Sequence, residues 1–143
     1  MIIKEYSLTY KRKNVDIDKL SSSNLVDSIA RNIFKDFINI YECFYIFLMD
    51  NQNNIKGFVK ISQGGITGTN VDIRLIAKYA IETLATKVIL VHNHPSGALM
   101  PSREDKTLTQ NVFKALELFD IRVVDHLILT EDDYYSFSDE GLI

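Results

Sequence analysis

The sequence predicts an α/β (α+β) fold in which helices flank a mixed sheet. Three observations predict it. β-prone runs alternate along the chain with apolar stripes at helical spacing. One such stripe lies between two strand candidates, which is crossover geometry. The length of 143 residues, 46% hydrophobic and 24% charged, suits one domain able to bury roughly 70% of its unfolded surface.

Residues 2–10 alternate apolar and polar, Ile2, Tyr6 and Leu8 against Ile3, Glu5 and Ser7, and read as a strand. From Asn24 to Phe37 the spacing of Leu25, Ile29, Ile33 and Phe37 is four, a helix stripe. Cys43–Met49 is a buried β-prone run. Asp50–Asn54 supplies turn chemistry, and Ile55–Ile61 returns as the second strand of a hairpin. Gly64, Gly65 and Gly68 interrupt the pattern. Thr69–Asp72 offers a helix cap with an acid in the first turn, ahead of an apolar face built from Ile73, Ile76, Ala77, Ala80, Ile81 and Leu84. Lys87–His92 is a short strand and Asn93–Pro101 a loop. Ser102–Phe119 is a third helix, Ile121–Thr130 another strand, and Tyr134–Phe137 a short last one.

Composition excludes several classes. Six glycines and two prolines leave no collagen-like or linker-dominated chain. A single cysteine, Cys43, permits no internal disulfide and no cysteine-rich zinc ribbon. The net charge of −3 is spread as +2 over residues 1–70 and −5 over 71–143, which argues against a dedicated DNA-binding surface. The run Lys11-Arg12-Lys13 reads as a solvated turn. No apolar run approaches the ~18 residues of a membrane span, and the first residues lack a signal-peptide core. The expectation is a cytoplasmic protein with no membrane segment, in keeping with one free thiol.

Three histidines exist, His92, His94 and His126, so metal or acid–base chemistry has few parts to draw on. Residues two apart on a strand face the same side, so His92 and His94 project together from the end of the Lys87–His92 strand. Asp105 falls in the first turn of the following helix. Should the loop fold back, two imidazoles and a carboxylate would hold one cation and leave a fourth tetrahedral position for water, the pattern of a catalytic zinc site. The plainer reading is that Ser102 and Asp105 form a capping box and the histidines are structural. Spacing alone leaves both open.

The segment His92-Asn93-His94-Pro95-Ser96-Gly97, then Pro101-Ser102, then Asp105, resembles the metal motif of the JAMM (MPN+) metalloproteases. That motif runs His-x-His, seven residues, Ser, two residues, Asp, the spacing found here. The His-Asn-His-Pro-Ser-Gly wording is similar to the bacterial RadC-like branch. Leu48–Asn53, Gly65–Thr69 and Ile121–Leu129 extend the resemblance over roughly residues 20–140.

The resemblance implies an MPN (JAB) domain with a cytidine-deaminase-like mixed sheet flanked by helices. It implies Zn²⁺ held by His92, His94 and Asp105, Glu42 as general base, and Ser102 as donor to the oxyanion of an attacked amide. Deaminase chemistry is not implied, because His-x-Glu and Pro-Cys-x-x-Cys are absent. His126 is expected to be a buried structural or outer-shell residue. RadC-like proteins generally carry an N-terminal helix-hairpin-helix segment, and its glycine-rich hairpin is not found here; one RadC-like MPN+ domain over residues 1–143 is the expectation. The implied activity is a zinc metallopeptidase or isopeptidase acting on a protein or peptide substrate of unknown identity. The competing reading is a non-catalytic or DNA-associated module of a repair or mobile-element system, which the charge does not favour. Metal-dependent hydrolysis of another bond, a small-molecule amide or a phosphoester, is a weaker third; phosphoesterases more often pair metals. Oligomeric state is not legible.

Overall fold

The structure is a computed structural model, and it describes residues 4, 7, 9–11, 22–64 and 70–143. The strand expected over 2–10 and the Gly65–Thr69 segment lie outside, or largely outside, the described residues.

The elements run α1 (Ser23–Phe34), β1 (Cys43–Met49), β2 (Ile55–Gln63), α2 (Ile73–Glu82), β3 (Lys87–Asn93), α3 (Arg103–Glu117), β4 (Arg122–Leu129) and β5 (Tyr134–Ser136). The five strands form one sheet in the order β2-β1-β3-β4-β5. β1 is antiparallel to both β2 and β3, β3 is parallel to β4, and β5 returns antiparallel. The sheet is therefore mixed, as expected. α2 is a crossover from β2 to β3 with β1 inserted between them. α3 links the parallel neighbours β3 and β4, the connection that parallel strands require.

The alternation of β1 decides which helices cover which face. Cys43, Tyr45, Phe47 and Met49 join Ile89, Val91, Leu127 and Leu129 in a cluster under α1. Phe44, Ile46 and Leu48 join Val88, Leu90, Val112 and Leu116 in a second cluster under α2 and α3. All seven residues of β1 are buried, so the strand reads as a continuous apolar run rather than an alternating one. Each fully buried large side chain contributes about 1.5–3 kcal/mol over exposure. His92 and His126 sit on the α3 side, and Asn93 on the α1 side.

Several boundaries differ from the sequence expectation. α1 stops at Phe34. Phe37 then packs in the following turns, its ring stacked on Tyr41 at 5.3 Å. Asp72 does not sit in the first turn of α2 but is itself the N-cap, accepting from the Arg74 amide at 2.9 Å. α2 ends at Glu82, with Leu84 in the left-handed region at φ 54° and the Ala85 amide bonded to the Ala80 carbonyl at 2.9 Å. That is the capping geometry glycine usually adopts, carried here by leucine. α3 stops the same way, at Asp120 with φ 56°.

Candidate metal centre

The site lies where β3 ends and α3 begins. His92 projects from the α3 side of the sheet and is 1% exposed. The chain leaves β3 after Asn93, and the His94 amide donates to the Leu129 carbonyl at 2.8 Å, which holds the turn against the end of β4. Gly97 takes φ 77°, and its amide donates to the His94 carbonyl at 3.0 Å, closing the loop back toward α3. Ser102 then caps α3. Its Oγ accepts from the Asp105 amide at 3.0 Å, and Asp105 Oδ2 accepts from the Ser102 amide at 2.7 Å. This capping box fixes the Asp105 carboxylate at the helix N-terminus, where the dipole favours negative charge. The capping reading and the ligand reading are thus the same geometry: the cap aims the carboxylate at the histidines.

His92 Nε2 and His94 Nε2 are 2.9 Å apart. Asp105 Oδ1 lies 3.2 Å from His92 Nε2, and Asp105 Oδ2 lies 3.5 Å from His94 Nε2. Tetrahedral zinc with bonds of about 2.0–2.1 Å sets neighbouring ligand atoms about 3.3 Å apart. The three observed separations bracket that value. Among the described residues this is the one group of three His, Cys, Asp or Glu side chains that converges in this way.

The hydrogen bonds behind the rings fix their tautomers. Thr109 Oγ1 donates to the Asp105 carbonyl at 2.7 Å, so toward His126 it can only accept; His126 Nδ1, at 2.6 Å, is the donor. His126 Nε2 is then unprotonated and accepts from His92 Nδ1 at 2.8 Å. His92 Nδ1 is thereby the protonated nitrogen, and the Nε2 lone pair faces Asp105. His94 Nδ1 donates to the Ala98 carbonyl at 2.6 Å, which leaves its Nε2 lone pair facing the same point. Two lone pairs and a carboxylate converging within 3.5 Å form a donor set that could hold one divalent cation.

The electrostatics agree. Burial would raise the Asp105 carboxyl, but when the facing histidine nitrogens carry protons in place of a metal, their hydrogen bonds and charge outweigh it and hold it far below the ordinary carboxylate range. Burial would lower His94, but its bonds to Asp105 and the Ala98 carbonyl, with the charges of Asp105 and Glu42, outweigh it and raise it above 6.5. A proton on His94 thus supplies the positive charge when no metal does. Burial, and next the His92 charge, push His126 well below 6.5, which keeps it the neutral acceptor the relay requires. The His126 ring is stacked on Phe137 at 4.7 Å and meets the edge of Phe44 at 5.6 Å.

The rings and Asp105 open into a cleft of about 790 Å³. Glu42 lines it on the β1 side, one residue before the strand, and its carbonyl accepts from the Gly64 amide at 2.9 Å. Phe44, Val71, Met100 and Leu108 give the cleft an apolar wall. Ser102 lines it too, but its hydroxyl proton is directed to Asp105 Oδ2 at 2.7 Å rather than to the open cleft. Residues that the sequence did not single out are Thr109, one turn after Asp105 on α3, and Asn93. A helical spacing of four from Asp105 was the available signal for Thr109.

Comparison with known proteins gives one family. The family model described as RadC-like JAB domain matches residues 20–142. A UPF0758 protein of Flavobacterium johnsoniae is 42% identical over 126 residues, covering 88% of this chain and 54% of that relative. A UPF0758 protein of Porphyromonas gingivalis is 44% identical over 100 residues, covering 69% and 44%. UPF0758 protein YkfG of Escherichia coli is 45% identical over 102 residues, covering 71% and 65%. The chain spans 44–65% of the length of these relatives.

Proposed function

The chain belongs to the RadC-like JAB domain family, and from that premise we propose that it is a zinc-dependent hydrolase of amide bonds, a peptidase or isopeptidase. The family supports a metallohydrolase-type fold. The amide-bond activity is our reading, and it rests chiefly on one observation: the Nε2 lone pairs of His92 and His94 and the Asp105 carboxylate converge on a single point beside a cleft that Glu42 lines.

His92, His94 and Asp105 would hold the zinc. When bound, zinc supplies Lewis acidity and brings the pKa of its water towards ~7. The remaining work falls to side chains of this chain. Glu42 accepts the proton of the attacking water and returns it to the departing amine nitrogen. Ser102 turns its hydroxyl from Asp105 Oδ2 to the oxyanion that forms as the carbonyl is attacked. Its oxygen keeps the Asp105 amide throughout, so the cap survives the switch.

The test is a peptide-library cleavage assay on zinc-loaded wild type and Glu42→Gln, with zinc measured in both. We expect cleavage by the wild type, and loss of cleavage with retained zinc in the variant. Equal cleavage by both would overturn the role of Glu42. No cleavage of any amide by the loaded wild type would overturn the activity.

A further inference from the structure

Asn93 stands between the two histidines and points to the opposite side of the sheet. It is 0% exposed. Its side-chain amide is fully used. Nδ2 donates to the Ile38 carbonyl at 2.8 Å and to the Tyr41 carbonyl at 3.0 Å, and Oδ1 accepts from the Cys43 amide at 2.8 Å. The Tyr41 carbonyl belongs to the peptide group before Glu42, and the Cys43 amide to the one after it. One buried side chain therefore grips both peptide groups that flank Glu42.

We infer that Asn93 is the positioning residue for Glu42, an inference that rests on the proposed role of Glu42 as general base. The chemistry is specific to asparagine. The three partners need two N–H donors and one acceptor on a single short side chain, and aspartate lacks the donors. Leu or Ala would leave two part-buried carbonyls and one buried amide without this partner. Because Asn93 is joined covalently to His92 and His94, the clamp ties the backbone of Glu42 to the same two peptide units that carry the histidines. The Gly64 amide on the Glu42 carbonyl completes the hold. Glu42 precedes the regular part of β1, so without this clamp its backbone would have only the end of the hairpin to fix it. Base and histidine pair then move as one body, which is what proton transfer over a fixed short distance requires.

The test compares Asn93→Ala and Asn93→Asp with wild type, each alone and combined with Glu42→Gln, in the zinc-loaded protein. Amide hydrogen exchange reads the clamp without any turnover. We expect faster exchange confined to residues 38–43 in both variants, with Asn93→Asp deciding should the alanine variant fail to fold. Zinc content should stay that of wild type. In the cleavage assay kcat should fall about 10–100-fold with KM unchanged, and no further fall should occur once Glu42 is already Gln. Unchanged exchange over 38–43 would overturn the clamp. Faster exchange with losses that multiply with those of Glu42→Gln would overturn positioning and leave a purely structural residue. Wild-type turnover in Glu42→Gln alone would instead overturn the base assignment, whatever the Asn93 variants do.

Discussion

His126 Nε2 lies 2.8 Å from His92 Nδ1, inside the core. The contact turns a buried histidine into the device that sets the tautomer of its neighbour. Partners of this kind on metal-ligating histidines typically govern metal affinity 10–100-fold. Replacing His126 with Phe keeps a ring between Phe44 and Phe137 but removes the acceptor. Zinc affinity by chelator competition should fall about 10–100-fold. An unchanged affinity would mean that His92 is oriented by something else.

Thr109 anchors the other end of that relay. Thr109→Val keeps the shape and leaves His126 Nδ1–H buried without an acceptor, a loss of about 1–3 kcal/mol. Thr109→Ser keeps the hydroxyl and should stay close to wild type. Denaturant unfolding of the two variants, at equal slope, reads the difference.

Metal uptake should depend on pH with a definite sign. The folded protein holds His94 above its ordinary 6.5, so in the metal-free state its proton stabilises the fold fully below that value. That contribution is lost as pH rises through the raised pKa. Zinc must displace the same proton, so its apparent affinity runs the other way. It should rise with pH through a window that reaches above 6.5 and then level off. Below the window it should fall about tenfold per pH unit. His94→Ala, which carries no proton to displace, should flatten this dependence while binding zinc more weakly throughout.

Phe44 joins the site to the core. It is 1% exposed, pairs with His92 across β1 and β3, and packs its ring against His92 at 5.8 Å. Phe44→Ala should destabilise the fold by about 3–5 kcal/mol. It should also loosen His92, so zinc affinity and stability fall together. A stability loss with full zinc affinity would show that the His126 contact alone suffices to hold the ring.

Much of this was legible in the sequence, for physical reasons. The period-two spacing brings His92 and His94 to one point, and the Ser102–Asp105 spacing gives the capping box that aims the carboxylate. The order of the described strands and helices followed from hydrophobic periodicity, β-prone runs and the turn and cap residues between them. Other features were hidden because their signals are not local. Asn93 looks like a loop residue until the sheet brings Tyr41 and Cys43 beside it, and Thr109 is one polar residue on an amphipathic helix until β4 presents His126. The helix ends at Leu84 and Asp120 were read late because neither carries the glycine that usually marks a left-handed stop. The hydroxyl of Ser102 was expected to be free for a substrate, and only the side-chain geometry reveals its bond to Asp105.

The most direct test of the account is metal analysis of the purified protein beside a His92→Ala/His94→Ala double variant. About one zinc per wild-type chain is expected, since His92, His94 and Asp105 form a single three-donor group, and none in the folded variant. The same zinc content in both proteins would contradict it.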